Sequence, residues 1–107
     1  MLNQIVLVGR LCNIKDRDGQ TIITLATTRS FENENGEYET DYIDFVLWGN
    51  IAKQVKDWCK EGDLIGIRGR IQTKEIDDTR ITELIAEKVT FLSTKSEDIK
   101  EKIDENN

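Results

Sequence analysis

Apolar residues at every second position run through most of this chain, and the segment Tyr42 to Gly49 (Y-I-D-F-V-L-W-G) shows what that pattern demands. Successive side chains of a strand point to opposite faces. Ile43, Phe45 and Leu47 therefore share one face, and Tyr42, Asp44, Val46 and Trp48 share the other. The first set is an apolar stripe that needs a core. With that stripe buried, Tyr42 and Trp48 stand on the mixed face, about 20 Å apart along the strand. The competing arrangement buries Val46 and Trp48 under a helix or a partner subunit.

The same alternation recurs on either side. Ile5 to Leu11 reads as a first strand with Gly9 as a bend, and Arg17-Asp18-Gly19-Gln20 as a turn. Thr21 to Thr28 is a second strand with Ile23 and Leu25 on one face. A polar arm from Ser30 to Thr40 carries Asn35-Gly36, a hairpin signal, at its tip. After the Tyr42 strand the period changes: Ile51, Ala52, Val55 and Cys59 fall at helical spacing in Asn50 to Lys60, and Gly62 supplies a left-handed stop. Trp58, beside Val55 and Cys59, is expected against the core. Leu64 to Lys74 sorts Ile65, Ile67 and Ile71 to one side and Arg68, Arg70, Gln72 and Lys74 to the other, with Gly66 and Gly69 letting the strand coil. Asp77-Asp78-Thr79 turns the chain into a fifth strand, Arg80 to Phe91, with Phe91, like Phe45, in the core by parity.

Five strands with one short helix between the third and fourth is the order of an all-β OB-fold, a five-stranded, partly open Greek-key barrel. At 107 residues the chain is one domain. Residues 1–92 form the barrel, and residues 93–107, rich in Glu, Asp and Lys with only Ile99 and Ile103 as apolar anchors, are expected to be a flexible charged tail.

Several function classes are excluded. There is no histidine, so His-based triads, H-E-x-x-H zinc sites and imidazole acid-base catalysis are out. No phosphate-binding glycine loop is present, and the carboxylates fall in turns and on helix faces, with no pair flanked by apolar residues that could raise one pKa. The chain reads as a binding protein and not an enzyme, with no cofactor and no metal. Cys12 and Cys59 form no C-x-x-C pair and read as buried free thiols. No apolar run approaches the ~20 residues of a membrane span, and no signal peptide opens the chain, so a cytoplasmic protein with no membrane partner is expected.

What remains is binding. Two separated flat rings on a half-exposed sheet suit the stacking of unpaired nucleic-acid bases, and Arg68, Arg70 and Lys74 align on one strand face as phosphate contacts. The net charge of −6 opposes this, but distribution decides, not the sum. Asp16, Asp18, Glu32, Glu34, Glu37, Glu39, Asp77 and Asp78 all lie in turns and arms.

Four segments then point to a family: M-L-N-Q-I-V-L-V-G-R-L at the start, A-T-T-R-S-F ending the second strand, D-Y-I-D-F-V-L-W-G before the helix and G-R-I-Q-T-K after it. In this order, over Met1 to about Phe91, they resemble the bacterial single-stranded DNA-binding proteins. The resemblance implies wrapping of single-stranded DNA over an OB-fold sheet in replication, recombination or repair, on a homo-oligomer, usually a tetramer. By position it implies stacking on Phe31, Tyr42 and Trp48. Arg10, Arg29, Lys60, Arg70 and Lys74 match or adjoin its phosphate-facing or groove-lining positions. Phe31 reads either as a stacking ring or as a cap on the barrel end. The family's Gly/Pro/Gln-rich linker and Pro-Phe tip have no counterpart in this sequence, so recruitment of repair enzymes through such a tip is not implied. Ile76 where a fourth aromatic is common, Asp44 between the two rings, and the acidic body fit an alternative, a protein-interaction OB module or accessory subunit with weak or no DNA binding.

Overall fold

A computed structural model describes residues 1–94; the tail expected at 93–107 thus lies, from residue 95 on, outside the described residues. The chain runs β1 (Ile5–Arg17), β2 (Gln20–Glu32), β3 (Tyr38–Leu47), α1 (Gly49–Trp58), β4 (Leu64–Ile76) and β5 (Thr79–Ser93). The strands close in the order β1-β2-β3-β5-β4. This is the five-stranded barrel with its helix between β3 and β4 that the periodicity requires.

Closure depends on β1 serving two partners. Its first half pairs β4 from Ile5↔Gly69 to Arg10↔Leu64, and its second half pairs β2 from Arg10↔Ala26 to Arg17↔Gln20, with a register shift between Leu11 and Asn13. On the far side, β3 meets β5 in parallel at Val46↔Ile85. A second irregularity, between Arg68 and Gly69, lets β5 bulge at Glu87. Gly69 is required there, because a Cβ at this position would lie 2.1 Å from the Ile85 carbonyl oxygen. Bulges of this kind sharpen the coil that a small barrel needs.

The strands exceed their sequence limits because tight turns extend pairing beyond the apolar pattern. Asp18 and Gly19 (φ +52° and +78°) and Asp77 and Asp78 (φ +49° and +63°) form two-residue hairpin turns with both central residues at positive φ, the geometry that matches strand twist. Asp is among the few residues other than Gly that enter this region. The β2–β3 arm turns differently: Asn33 Oδ1 accepts the N–H groups of Asn35 and Glu37, so Asn33 organises the tip around Asn35-Gly36.

Leu11, Ile23, Leu25, Phe45, Leu47, Ile65 and Ile67 fill the interior, and Val55 of α1 with Cys59 just after it plugs one end. Lys56 ties the helix to β1 through Asp16, Nζ to Oδ1 at 2.8 Å. Three expectations need correction. The helix ends at Trp58, with Cys59 already extended and its N–H on the Val55 carbonyl; Gly62 (φ +94°) serves the following turn, where its N–H bonds Leu11. Trp58 is 77% exposed, because it falls on the flank of the helical apolar stripe at the last helical residue. Ile71 and Phe91 keep core parity but emerge at the barrel ends, each more than two-fifths exposed. The Asn3 side chain holds Ile71 by pairing with both its N–H and C=O.

Candidate nucleic-acid interface

The outward face of the barrel is assembled by register. Lys15↔Ile22, Ile22↔Val46, Val46↔Ile85 and Ile85↔Arg70 are Cα partners. Paired residues point to the same side, so one transverse row crosses all five strands. Its middle is apolar and its ends are cationic. Val46 and Ile85 are covered, 6% and 2% exposed, because β3 and β5 converge there. The burial of this outward-facing valine is thus achieved within one chain.

Trp48 stands at the end of β3 beside this row, 45% exposed. It is the N-cap of α1, in extended conformation, and makes no side-chain capping bond. The Arg70 guanidinium lies over the ring at 5.9 Å from its centroid, within cation–π range, and Arg70 Nη1 donates to Gln72 Oε1 at 2.6 Å. Farther along the face a cleft of about 520 Å³ opens between the β1–β2 and β4–β5 hairpins, lined by Arg17, Gln20, Ile22, Lys74, Ile81 and Glu83 among others. An exposed ring, a cation fixed on it and a cleft with apolar walls and charged rims can hold a stacked base and its phosphate.

Tyr42, 69% exposed, belongs to a second row, Arg10↔Ala26↔Tyr42. Between the two rings lies Asp44, which accepts from Thr24 Oγ1 at 2.6 Å. Arg10 donates to the Gly62 carbonyl at 3.1 Å, in the turn that follows Lys60. The exposed Lys60 gives its backbone N–H to Asp63 Oδ2. Phe31, 64% exposed, stands on the β2–β3 arm with Tyr38, 56% exposed, and does not cap the barrel end.

The basic row of β4 is divided. Arg70 lies over Trp48 and Lys74 lines the cleft between the hairpins, whereas Arg68 lines a separate depression with Val6, Val8, Lys88 and Thr90. Most of these cations already hold carboxylates. Lys74 Nζ is 2.9 Å from Glu83 Oε2, and Arg70 Nε is 3.5 Å from Glu87 Oε2. Arg29 forks onto Asp41 at 3.0 and 2.9 Å and also reaches Glu39. Its hydrogen bonds to Arg29 hold the Asp41 carboxyl below the usual range, and Asp41 in turn raises the guanidinium. Elsewhere the Cys59 thiol is pushed up, first by burial and then by the Asp63 charge, which fits an inert buried sulfur.

Sequence reasoning missed Arg17, Gln20, Glu83 and Tyr38 at this surface. The Asp18-Gly19 turn fixes Arg17 opposite Gln20, so that local pairing is readable. The approach of that hairpin to β4–β5 depends on closure at Val46↔Ile85 and has no local signal. Among the described residues no cluster of His, Cys, Asp and Glu could hold a metal ion, and no helix is long and apolar enough to cross a membrane.

Known proteins share this architecture. The chain is 38% identical over 112 residues to single-stranded DNA-binding protein 2 of Listeria monocytogenes, covering 92% of this chain and 69% of that one. It is 39% identical over 108 residues to single-stranded DNA-binding protein B of Bacillus subtilis, covering 89% and 94%. Among solved structures, an SSB of Plasmodium falciparum in complex with ssDNA superposes with TM-score 0.66 at 25% identity, over 87% of this chain and 96% of that one. A deletion mutant of the Thermus aquaticus single-stranded DNA binding protein shares the fold with TM-score 0.67 at 24% identity, over 86% and 51%. The model of the single-strand binding protein family matches residues 2–92, all of the barrel but the last residue of β5. With barrel and sequence in agreement, the chain belongs to the single-strand binding protein family.

Proposed function

We propose that this protein binds single-stranded DNA without sequence preference, in replication, recombination or repair, by stacking bases on Trp48, Tyr42 and Phe31 and contacting the backbone through basic side chains. The observation that carries this reading is Trp48. It is an exposed indole beside a fixed guanidinium, at one end of an outward face with an apolar middle and cationic ends. Stacking tolerates any base because every base has a π-face. Arg70 and Lys74 supply phosphate contacts next to the ring; Arg10 and Lys60 supply them near Tyr42. Arg29 and Arg68 contribute less, one held by two carboxylates and the other turned to a different depression. Titration of the protein with oligo-dT, followed by tryptophan fluorescence, tests the proposal. Saturable quenching is expected, and an unchanged signal with no complex in a parallel gel-shift assay would reject it.

The assembly we propose is a homo-oligomer, a tetramer built on edge pairing of Gln4 to Leu11 across a two-fold. Pairing of β1 with β2 begins only at Arg10, so among the described residues one edge of Ile5–Gly9 has no strand beside it. Val6 and Val8 on that stretch are 72% and 49% exposed, and wet valines favour an interface. Light scattering should give four chains per particle at micromolar concentration, with a monomer as the contrary outcome.

A further inference from the structure

Arg70, over Trp48, and Lys74, farther along the same strand face, already hold carboxylates, and this bears on which polyanions the surface accepts. The Glu83 side chain is 11% exposed and lies 2.9 Å from Lys74 Nζ. It lines the cleft whose volume is about 520 Å³. Glu87, the bulged residue of β5, takes Arg70 from the side while Gln72 takes it from another. Arg70 therefore reaches Trp48 as a guanidinium already partnered by a carboxylate. A phosphate arriving here replaces one anion with another. Exchange of partners yields little net free energy, because both states contain an ion pair and the displaced Glu83 carboxylate, only 11% exposed, is left without its cation. The new carboxylate–phosphate proximity is repulsive.

We infer that Glu83 and Glu87 are selectivity residues: by occupying Lys74 and Arg70 they deny this outward face to polyanions that offer only phosphate and admit strands whose unpaired bases can stack on Trp48. Discrimination of this kind is built by penalising the wrong partner as much as by favouring the right one. A duplex keeps its bases stacked inside and a baseless backbone has none, so neither gains the indole contact that offsets carboxylate displacement. The inference deepens the single-stranded DNA reading and rests on it. It also gives the acidic body of the chain a role at the binding face.

The test compares the full-length protein with Glu83→Gln, Glu87→Gln and the double variant, each checked for a native melt. Glutamine keeps the shape and a hydrogen-bond acceptor while removing the charge. The probes are oligo-dT, an abasic deoxyribose-phosphate strand of the same length, and a duplex, each titrated between about 50 and 200 mM salt. Wild type is expected to bind oligo-dT and neither control. The double variant should bind the abasic strand and tighten on oligo-dT. Its log K against log salt should steepen by about −1.4, two cations at about −0.7 each. Glu87→Gln alone should steepen it by about half that, so the idea stays testable if Glu83→Gln unfolds. Wild-type binding to oligo-dT with no change of slope or of abasic-strand affinity in folded variants would overturn the inference, as would weaker oligo-dT binding by them. No oligo-dT binding by any of the proteins would instead fail the single-stranded reading, and this inference with it.

Discussion

Two tryptophans flank α1, and their surroundings differ more than their exposure does. Trp48 caps its start, 45% exposed, and Trp58 is its last residue, 77% exposed. Over Trp48 lies a guanidinium that is itself held by an amide. Around Trp58 lies a groove of about 210 Å³ lined by Gln54, Val55, Cys59, Val89 and Phe91, with no charged residue in it. The lesson is that exposure of an aromatic ring does not mark a nucleic-acid site. Under the proposed reading a ring serves as one where a cation stands beside it to meet a phosphate, and of these two Trp48 has such a neighbour in Arg70.

The largest expected effect removes what both surfaces share. Phe45 is completely buried between them, so Phe45→Ala should cost roughly 3–5 kcal/mol and lower the denaturant midpoint of both tryptophan signals together. A midpoint shift in one signal alone would show the two regions to be independently stable. Next, Trp48→Ala should lose about 1–3 kcal/mol of oligo-dT affinity, the range for one stacked base. Trp58→Ala should leave affinity unchanged and alter stability by about 0.5 kcal/mol or less, as at an exposed surface position. Equal affinity losses in the two variants would erase the contrast.

The barrel was legible because alternation in Ile65, Ile67, Phe45 and Leu47, together with Asp18-Gly19 and Asp77-Asp78, leaves few other ways to bury those stripes. Of the candidate site, Trp48 and Arg70 were readable by parity. Two things were not. Trp58 looked internal because it adjoins Val55 and Cys59 in sequence, yet a helix of ten residues ends before its flank meets a second layer. The Lys74–Glu83 and Arg70–Glu87 pairs depend on the β4–β5 register and its bulge at Glu87, which no local pattern announces. The parity of Arg68 was right but its neighbourhood was not, since barrel coiling carries it toward Val6 and Lys88.

A smaller effect concerns pH. Asp16 accepts hydrogen bonds from Lys56 and Thr21, Lys56 having the larger influence, and its carboxyl is held below the ordinary carboxylate range; Arg29 does the same to Asp41. Because both folded values lie below the unfolded value of about 3.9, the stabilisation is present above that pH and is lost as pH falls through the folded values. Thermal melts should fall as pH drops below about 4. Lys56→Gln and Arg29→Gln should each flatten that fall, and an unchanged acid limb would remove these pairs from the account. Neither pair lines the cleft that holds Lys74 and Glu83, so neither substitution should alter the selectivity among polyanions.

The most direct test of Trp48 as the stacking ring uses single-tryptophan proteins. With Trp58→Phe, only Trp48 remains, and oligo-dT should quench its emission to saturation as complex forms. With Trp48→Phe, only Trp58 remains, and its emission should stay unchanged while any residual complex forms. Quenching confined to the Trp48→Phe protein would contradict the account and move the stacking site to the other end of the helix.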